Sequence, residues 1–274
     1  MIFICATCAV ETADLPTPPA TCAICEDERQ WVPETGQRWT TLAELRDGGT
    51  RIEVSEREPG LWSLRSVPDV GIGQHTMVVR TPAGSVLFDT LGYLDAETVE
   101  VVRGLGPVLA VAASHPHMYG VQTEWAHALG DVPVLLTASD REWVRRPSPL
   151  VQHYDDRLEV TPGVTLHRVG GHFPGQAVLE WTGGAEGRGV LLAGDAVAPN
   201  PDRRTVTFLR SYPNRIPLSG NVVLRIAATL DGLRFDRLYD NFGRCVPVDA
   251  KDVVRGSAER YARWTDGEHD HLTW

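Results

Sequence analysis

The chain has 274 residues, 42% of them apolar and 23% charged, an ordinary globular composition with length enough for a large core, which excludes wholesale disorder and fibrous repeats. A formal net charge of −10 disfavours attraction to phosphate backbones, so no nucleic-acid partner is expected. No window approaches the roughly 20 apolar residues of a bilayer-crossing helix, and no basic segment leads into an apolar run at the N-terminus; the expectation is a cytoplasmic protein without a membrane partner.

The chain opens on Cys5, Cys8, Cys22 and Cys25, two C-x-x-C turns separated by thirteen residues that include the turn-prone, Pro-rich stretch Leu15 to Ala20. In a reducing compartment, paired thiols are more often metal ligands than disulfides. Each turn places two thiolates on one side of a tight loop, and two such loops complete a tetrahedron around one zinc at about 2.3 Å per sulfur. Iron in a rubredoxin-like site and plain reduced cysteines are the alternatives. A closed site of this kind leaves no position for substrate and is structural. Residues 1–30 are therefore read as a zinc ribbon and residues 31–50 as a connector ending in a short helical pattern. Cys245 stands alone and reads as a buried small apolar residue.

From Arg51 the text turns strand-like: Ile52 to Glu56, Leu61 to Val67, Gln74 to Thr81 and Ser85 to Asp89, the last two joined into a hairpin by Pro82-Ala83-Gly84. A helix is predicted at Ala96 to Gly104, followed by a hydrophobic run, Val108 to Ala113. Strand and helix signals mix through Glu124 to Leu129, Val132 to Thr137, Val164 to Val169, Ala177 to Trp181 and Gly189 to Ala193. The last third offers a helix at Asn221 to Leu230, a strand at Arg237 to Tyr239 and a closing helix at Ala250 to Trp264. Hairpins first, then strands with helices between them, twice over, predict two packed sheets with helices outside, an α/β (α+β) domain over 51–265 with a polar tail at 266–274.

The apolar run at Val108 stops at Ser114-His115-Pro116-His117, and two histidines two apart at the exit of a buried strand can turn toward one point, as a metal demands. Gly170-Gly171-His172-Phe173-Pro174-Gly175 holds a third histidine among turn residues, and Leu191-Leu192-Ala193-Gly194-Asp195 ends a buried strand in a carboxylate. His115, His117, His172 and Asp195 form a set for one catalytic zinc with an open position. The other reading is that they are turn and capping residues.

From about Arg51 to Arg263 these motifs resemble the metallo-β-lactamase superfamily: Leu87-Phe88-Asp89-Thr90, the His115 motif, Gly-Gly-His-Phe-Pro-Gly and the Gly-Asp pair stand in its order and rough spacing. The resemblance implies a four-layer αββα sandwich with the metal at one edge of the two sheets, His115, His117 and His172 on the first zinc, and Asp195 in the bridging position. The chain departs from the pattern where H-x-H-x-D-H is expected, carrying Tyr119 and Gly120. It also lacks the late histidine, with Tyr239-Asp240-Asn241-Phe242-Gly243 in that stretch. A full dinuclear site is not expected.

One His-ligated zinc can still activate water and polarise a carbonyl. The expected function is therefore zinc-dependent hydrolysis of a small ester, thioester, lactone or similar substrate. Asp195 is expected as fourth ligand or base, with Tyr119 as a donor to an oxyanion or a wall residue filling the vacated position. The polar loop Pro199 to Pro217, with Arg203, Arg204, Arg210, Tyr212, Asn214 and Arg215, offers candidate substrate contacts, chiefly Arg204, Tyr212 and Asn214. The alternative is a catalytically weak or inactive member that binds a ligand or partner, and a homodimer is left open.

Overall fold

The computed structural model describes residues 1–274. At the N-terminus, β1 (Ile2–Cys5) pairs with β2 (Glu11–Asp14) and β3 (Trp39–Thr40) in a three-stranded sheet, followed by the short α1 (Leu42–Asp47), which the side chain of Thr41 caps. Seven strands then build the first large sheet: β4 (Arg51–Glu58), β5 (Leu61–Val67), β6 (Thr76–Thr81), β7 (Gly84–Phe88), β8 (Val108–Ala112), β9 (Val134–Thr137) and β10 (Val151–Tyr154), neighbours in chain order. The Pro82-Ala83 turn closes β6 onto β7 with Thr81 opposite Gly84, as the turn chemistry predicts. From β7 to β10 the pairing is parallel, with α2 (Ala96–Gly104) and α3 (Gln122–Ala128) as crossovers before β8 and β9.

The second sheet takes β11 (Arg157–Thr161), β12 (Val164–Arg168), β13 (Ala177–Trp181) and β14 (Val190–Leu192) in order. The chain then makes two small ladders, β15 (Ala198–Pro199) with β16 (Val206–Thr207) and β17 (Leu209–Ser211) with β18 (Ile216–Pro217). It returns through α4 (Gly220–Asp231) to β19 (Arg237–Tyr239) and β20 (Cys245–Val246) on the far edge of the sheet, and ends in α5 (Ala250–Thr265). The stretch read from sequence as one long polar loop thus carries two short strand pairs among its turns. Two edge strands of the sheets, β10 and β11, were not expected, because Val151–Tyr154 and Arg157–Thr161 mix exposed polar residues with few apolar ones. No helix is long and apolar enough to cross a membrane.

Strand alternation divides the core into layers. On β6 to β8, Val79, Val86, Phe88, Ala110 and Ala112 face Leu166, Leu179, Leu192 and Tyr239 of the second sheet, forming the inter-sheet core. Their neighbours Val78, Leu87 and Val111 face outward under Val99, Val102, Trp125 and Ala126 of α2 and α3. On the other side, Val178, Leu191 and Leu238 are covered by Val223, Ile226, Val254 and Ala258 of α4 and α5. This is the four-layer αββα sandwich expected.

The N-terminal segment is not insulated from the sandwich. Cys5, Cys8, Cys22 and Cys25 belong to the same apolar cluster as Leu64, Val78, Leu87 and Trp125. A Cβ at Gly92 would stand 2.5 Å from that of Ala9, so the first cysteine turn is pressed directly onto the loop after β7. Glu11, 2% exposed, accepts from the Thr123 amide at 2.6 Å and pairs with Arg146 at 2.6 Å, tying β2 to α3 and the loop before β10.

Candidate metal centre

The sequence brings two groups of donors together. In the first, the Ala9 amide donates to Cys5 O at 2.8 Å and the Glu26 amide to Cys22 O at 3.0 Å, so each C-x-x-C stretch closes into a tight turn with both sulfurs on one side. Cys5 Sγ lies 3.5 Å from Cys25 Sγ, and Cys8 Sγ 3.7 Å from Cys22 Sγ. Ligands at about 2.3 Å on a tetrahedral ion stand roughly 3.8 Å apart, so the four sulfurs fit the edges of one such tetrahedron. Hydrogen bonding among the thiols pulls Cys5 and Cys22 below the ordinary cysteine range and holds Cys8 and Cys25 above it.

The second group is His115, His117, His172 and Asp195, all buried, each with a ligand atom within 4.8 Å of the others. β8 delivers the first two. As its last residues leave the sheet, the Ser114 amide donates at 2.7 Å to Asp89, a fully buried carboxylate at the end of β7, which fixes the turn into His115. Ser114 Oγ lies 2.9 Å from His115 Nδ1 and Leu209 O lies 3.2 Å from His172 Nδ1. A proton on each Nδ1 satisfies both contacts and turns both Nε2 lone pairs inward. His172 Nε2 is 3.2 Å from His117 Nδ1, and Asp195 Oδ2 is 3.5 Å from His115 Nε2 and 3.7 Å from His172 Nε2. A tetrahedral ion with ligands at about 2.0–2.1 Å requires edges of roughly 3.3 Å, so the donor set fits one ion. His115 Nε2 is buried without a hydrogen-bond partner, a cost that a metal would remove.

Burial holds all three histidines neutral, pushing His115 and His117 well below the usual range and His172 to about 3. Burial, then the nearby Asp89 and Asp240, raises Asp195 to about 8, while burial raises Asp89 to about 7. Neutral imidazoles beside a carboxyl able to ionise are what a dication needs.

Glycines shape the site where backbone approaches closely. Gly194 has φ +51 and a Cβ there would stand 2.6 Å from Ser114, so only glycine lets the chain before Asp195 pass the His115 turn. Gly120 has φ +48 and a Cβ would lie 2.3 Å from Thr90 O; the position read as a vacated histidine is closed to any side chain in this backbone.

The remaining candidates part ways. Tyr119 turns into the core: it is 2% exposed, packs in the cluster of Trp125 and Val121, and its hydroxyl faces Asp140 O at 3.5 Å, an arrangement that favours the wall residue of the two readings. Arg204 is exposed and lines a shallow groove with Asp252, Val253, Gly256 and Arg260 on α5. Tyr212 does reach the centre, its hydroxyl donating to Asp195 O at 3.2 Å and its ring 5.8 Å from that of His172. Asn214 spends its amide on Glu28 O and Gln30 O at 2.8 and 2.9 Å and clamps its loop to the N-terminal segment.

Asp140 and Arg29, which no motif marks, and Asn241, in the stretch that lacks the late histidine, also build the site. Asp140 accepts the Gly175 amide at 2.8 Å and pins the His172 turn from behind. Asn241 is 2% exposed, its amide without partners, beside Asp89 and Asp195. Arg29 lies 3.6 Å over Phe173, whose ring touches all three histidines at 4.9–5.6 Å between centroids. No spacing signal marks Asp140 or Arg29, whereas Asp89 stands in the Leu87-Phe88-Asp89-Thr90 motif and Asn241 in the Tyr239 to Gly243 stretch.

No protein-family model matches the chain. It is 41% identical over 271 residues, 98% of either chain, to the uncharacterized protein YmaE of Bacillus subtilis (strain 168). Solved structures of similar fold include VMB-1, with TM-score 0.57 and 12% identity over 77% of this chain and 98% of that one. The metallo-β-lactamase DIM-1 follows at 0.56 and 14% over 77% and 98%. The metallo-β-lactamase FIM-1 from Pseudomonas aeruginosa, in its mono-zinc form, matches at 0.54 and 15% over 77% and 96%. At these identities the likeness speaks for the fold. With its sequence aligned end to end on the Bacillus protein and its sandwich on these enzymes, the chain belongs to the family of YmaE and has the metallo-β-lactamase fold.

Proposed function

We propose that the protein is a zinc-dependent hydrolase of small esters, thioesters, lactones or related substrates, with one zinc on His115, His117 and His172 beside Asp195, which acts as a further ligand or as base, and a second, structural zinc on the four cysteines. The observation that carries this reading is the buried tetrahedral donor set with an unpartnered imidazole nitrogen, His115 Nε2, aimed into it. A zinc ion there would supply Lewis acidity and lower the pKa of a bound water toward about 7. His115 and His172 hold their Nε2 atoms inward through Ser114 and Leu209. Asp195, poised to ionise, either completes the ligand set or takes a proton from the attacking water. A second ion is not favoured: Tyr119 is in the core, Gly120 is closed, and Asn241 is a poor donor for zinc.

Purified protein should carry about two zinc per chain, falling to about one when His115→Ala and His172→Ala are combined. Turnover on an ester, thioester and lactone panel should vanish in His115→Ala. Two metals in the pocket at the 3.5–4 Å separation of dinuclear hydrolases would overturn the single-ion assignment. No turnover by the zinc-loaded protein across the panel would favour a ligand-binding role instead.

A further inference from the structure

The segment that follows the second cysteine turn runs into the back of the metal centre. Arg29, four residues after Cys25, is 5% exposed. Its fork grips Asp27 with Nε–Oδ1 at 2.5 Å and Nη2–Oδ2 at 2.9 Å, while Nη1 donates to His172 O at 3.3 Å. Its face stacks on Phe173 at 3.6 Å, the ring against which all three histidines pack. On the other side, Ser211 Oγ donates to Arg29 O at 3.1 Å, Asn214 bonds Glu28 O and Gln30 O, and Arg210 pairs with Glu28 at 2.6 Å. That same 209–214 stretch presents Leu209 O to His172 Nδ1 and the Tyr212 hydroxyl to Asp195 O. Two of the four pocket donors are thus held from behind by residues 27–30, which the cysteine site anchors.

We propose that Arg29 is a positioning residue for the pocket metal, coupling the cysteine site to the geometry and affinity of the histidine site. The inference rests on the metal-centre reading above. A guanidinium is suited to this because its planar fork can bond a carboxylate, donate to a carbonyl and stack on a ring at once, and a lysine ammonium cannot. A position effect and a field effect predict opposite signs. Asp27 neutralises Arg29, so deleting the arginine leaves a bare carboxylate near the centre, and a field effect alone would make a dication bind more tightly. Loss of the brace frees the His172 backbone and makes it bind more weakly.

The test uses full-length protein loaded with cobalt(II), in which thiolate-to-cobalt charge transfer reports the cysteine site and the weaker d–d bands of an N,O-ligated ion, at shorter wavelength than those of the thiolate site, report the histidine site. Chelator competition then gives the affinity of each. Arg29→Ala should weaken the pocket about 10- to 100-fold, the range for a lost ligand-orienting partner, and alter its d–d envelope while the charge-transfer band persists. Arg29→Lys should not restore it. Arg29→Gln, which leaves Asp27 equally bare but keeps an amide donor, should weaken it less and serves where Arg29→Ala does not fold; Asp27→Asn, where the two effects share a sign, serves only as a control of the cysteine site. Unchanged or tighter pocket binding in the folded variants overturns the proposal alone. So does loss of the charge-transfer band in both Arg29→Ala and Asp27→Asn, which would make Arg29 a folding residue of the cysteine site. Wild-type protein taking up cobalt only at the cysteines overturns the metal-centre reading and the proposal with it.

Discussion

Replacing Gly175 by alanine isolates the support of His172 from its chemistry. Gly175 is not held at a positive φ, so alanine meets no backbone strain there; the obstacle is purely steric. Its Cβ would stand 2.1 Å from Thr137 Oγ1 and about half an ångström farther, at 2.5 and 2.6 Å, from the Asp140 carboxyl, where ordinary contact begins near 3.4 Å. The turn must retreat from the ends of β9 and its following residues. It then loses the Thr137 hydroxyl bond to Gly175 O at 2.8 Å and the Gly175 amide bond to Asp140 at 2.8 Å. The first is worth about 1 kcal/mol, and a buried polar group left unpaired costs about 1–3 kcal/mol more. The sum, roughly 2–4 kcal/mol, should lower Tm by roughly 5–15 °C for a domain of this size. His172 sits three residues earlier in the same turn, so pocket zinc should also bind roughly 10- to 100-fold more weakly while cysteine-site zinc stays. Calorimetry and zinc titration against a chelator read both effects. A Gly175→Ala protein that melts within 1 °C of wild type and keeps its pocket affinity would refute the view that Thr137 and Asp140 hold this turn.

Cys22→Ser should cost one zinc per chain and expose residues 1–30 to proteolysis; because these cysteines share a core with Leu64 and Leu87, the sandwich itself should melt earlier, and full zinc with unchanged protection would contradict the site. Zinc uptake by the pocket should release one proton between about pH 4 and 8, since Asp195, raised to about 8, is protonated there in stripped protein while the histidines, His172 at about 3, already are neutral. Affinity therefore rises about tenfold per pH unit and levels off above 8, whereas a steep threefold-proton dependence below pH 6.5 would show ordinary histidines. Glu11→Ala strands Arg146 and the Thr123 amide in a buried position and should cost roughly 2–3 kcal/mol by denaturant midpoint, below the usual loss for a broken buried pair because Glu124 still holds Arg146. Tyr212→Phe, which frees Asp195 O, should lower kcat on any turned-over ester, while Arg204→Ala should leave it unchanged.

What the sequence revealed and what it hid follow from the range of the forces involved. Cys5 through Cys25 and His115 with His117 announce themselves because a metal demands particular atoms at fixed spacing within a few residues, and apolar alternation on β6 to β8 is equally local. Where Tyr119 and Arg204 point is not legible in sequence because side-chain direction is decided by distant packing: the core around Trp125 takes the first, and the second lies along α5. Asp140 and Arg29 carry no sequence signal for the same reason, acting through partners tens to more than a hundred residues away.

The N-terminal segment shows the limit most sharply. Its doubled C-x-x-C reads as a self-contained unit, since a metal can fold a short segment that has no core of its own. Yet the same cysteines belong to one buried cluster with Leu64 and Leu87, and the segment sends Glu11 under α3 and lays Arg29 against Phe173. A metal turn makes a compact, rigid knuckle, and rigidity is what a ligand-bearing turn with two glycines, Gly170 and Gly171 at φ +68 and +98, lacks by itself. A turn that flexible holds His172 in register only if something stands behind it: Thr137 and Asp140 hold its far end at Gly175, and under the proposal above Arg29 carries the support of the cysteine site to His172 itself.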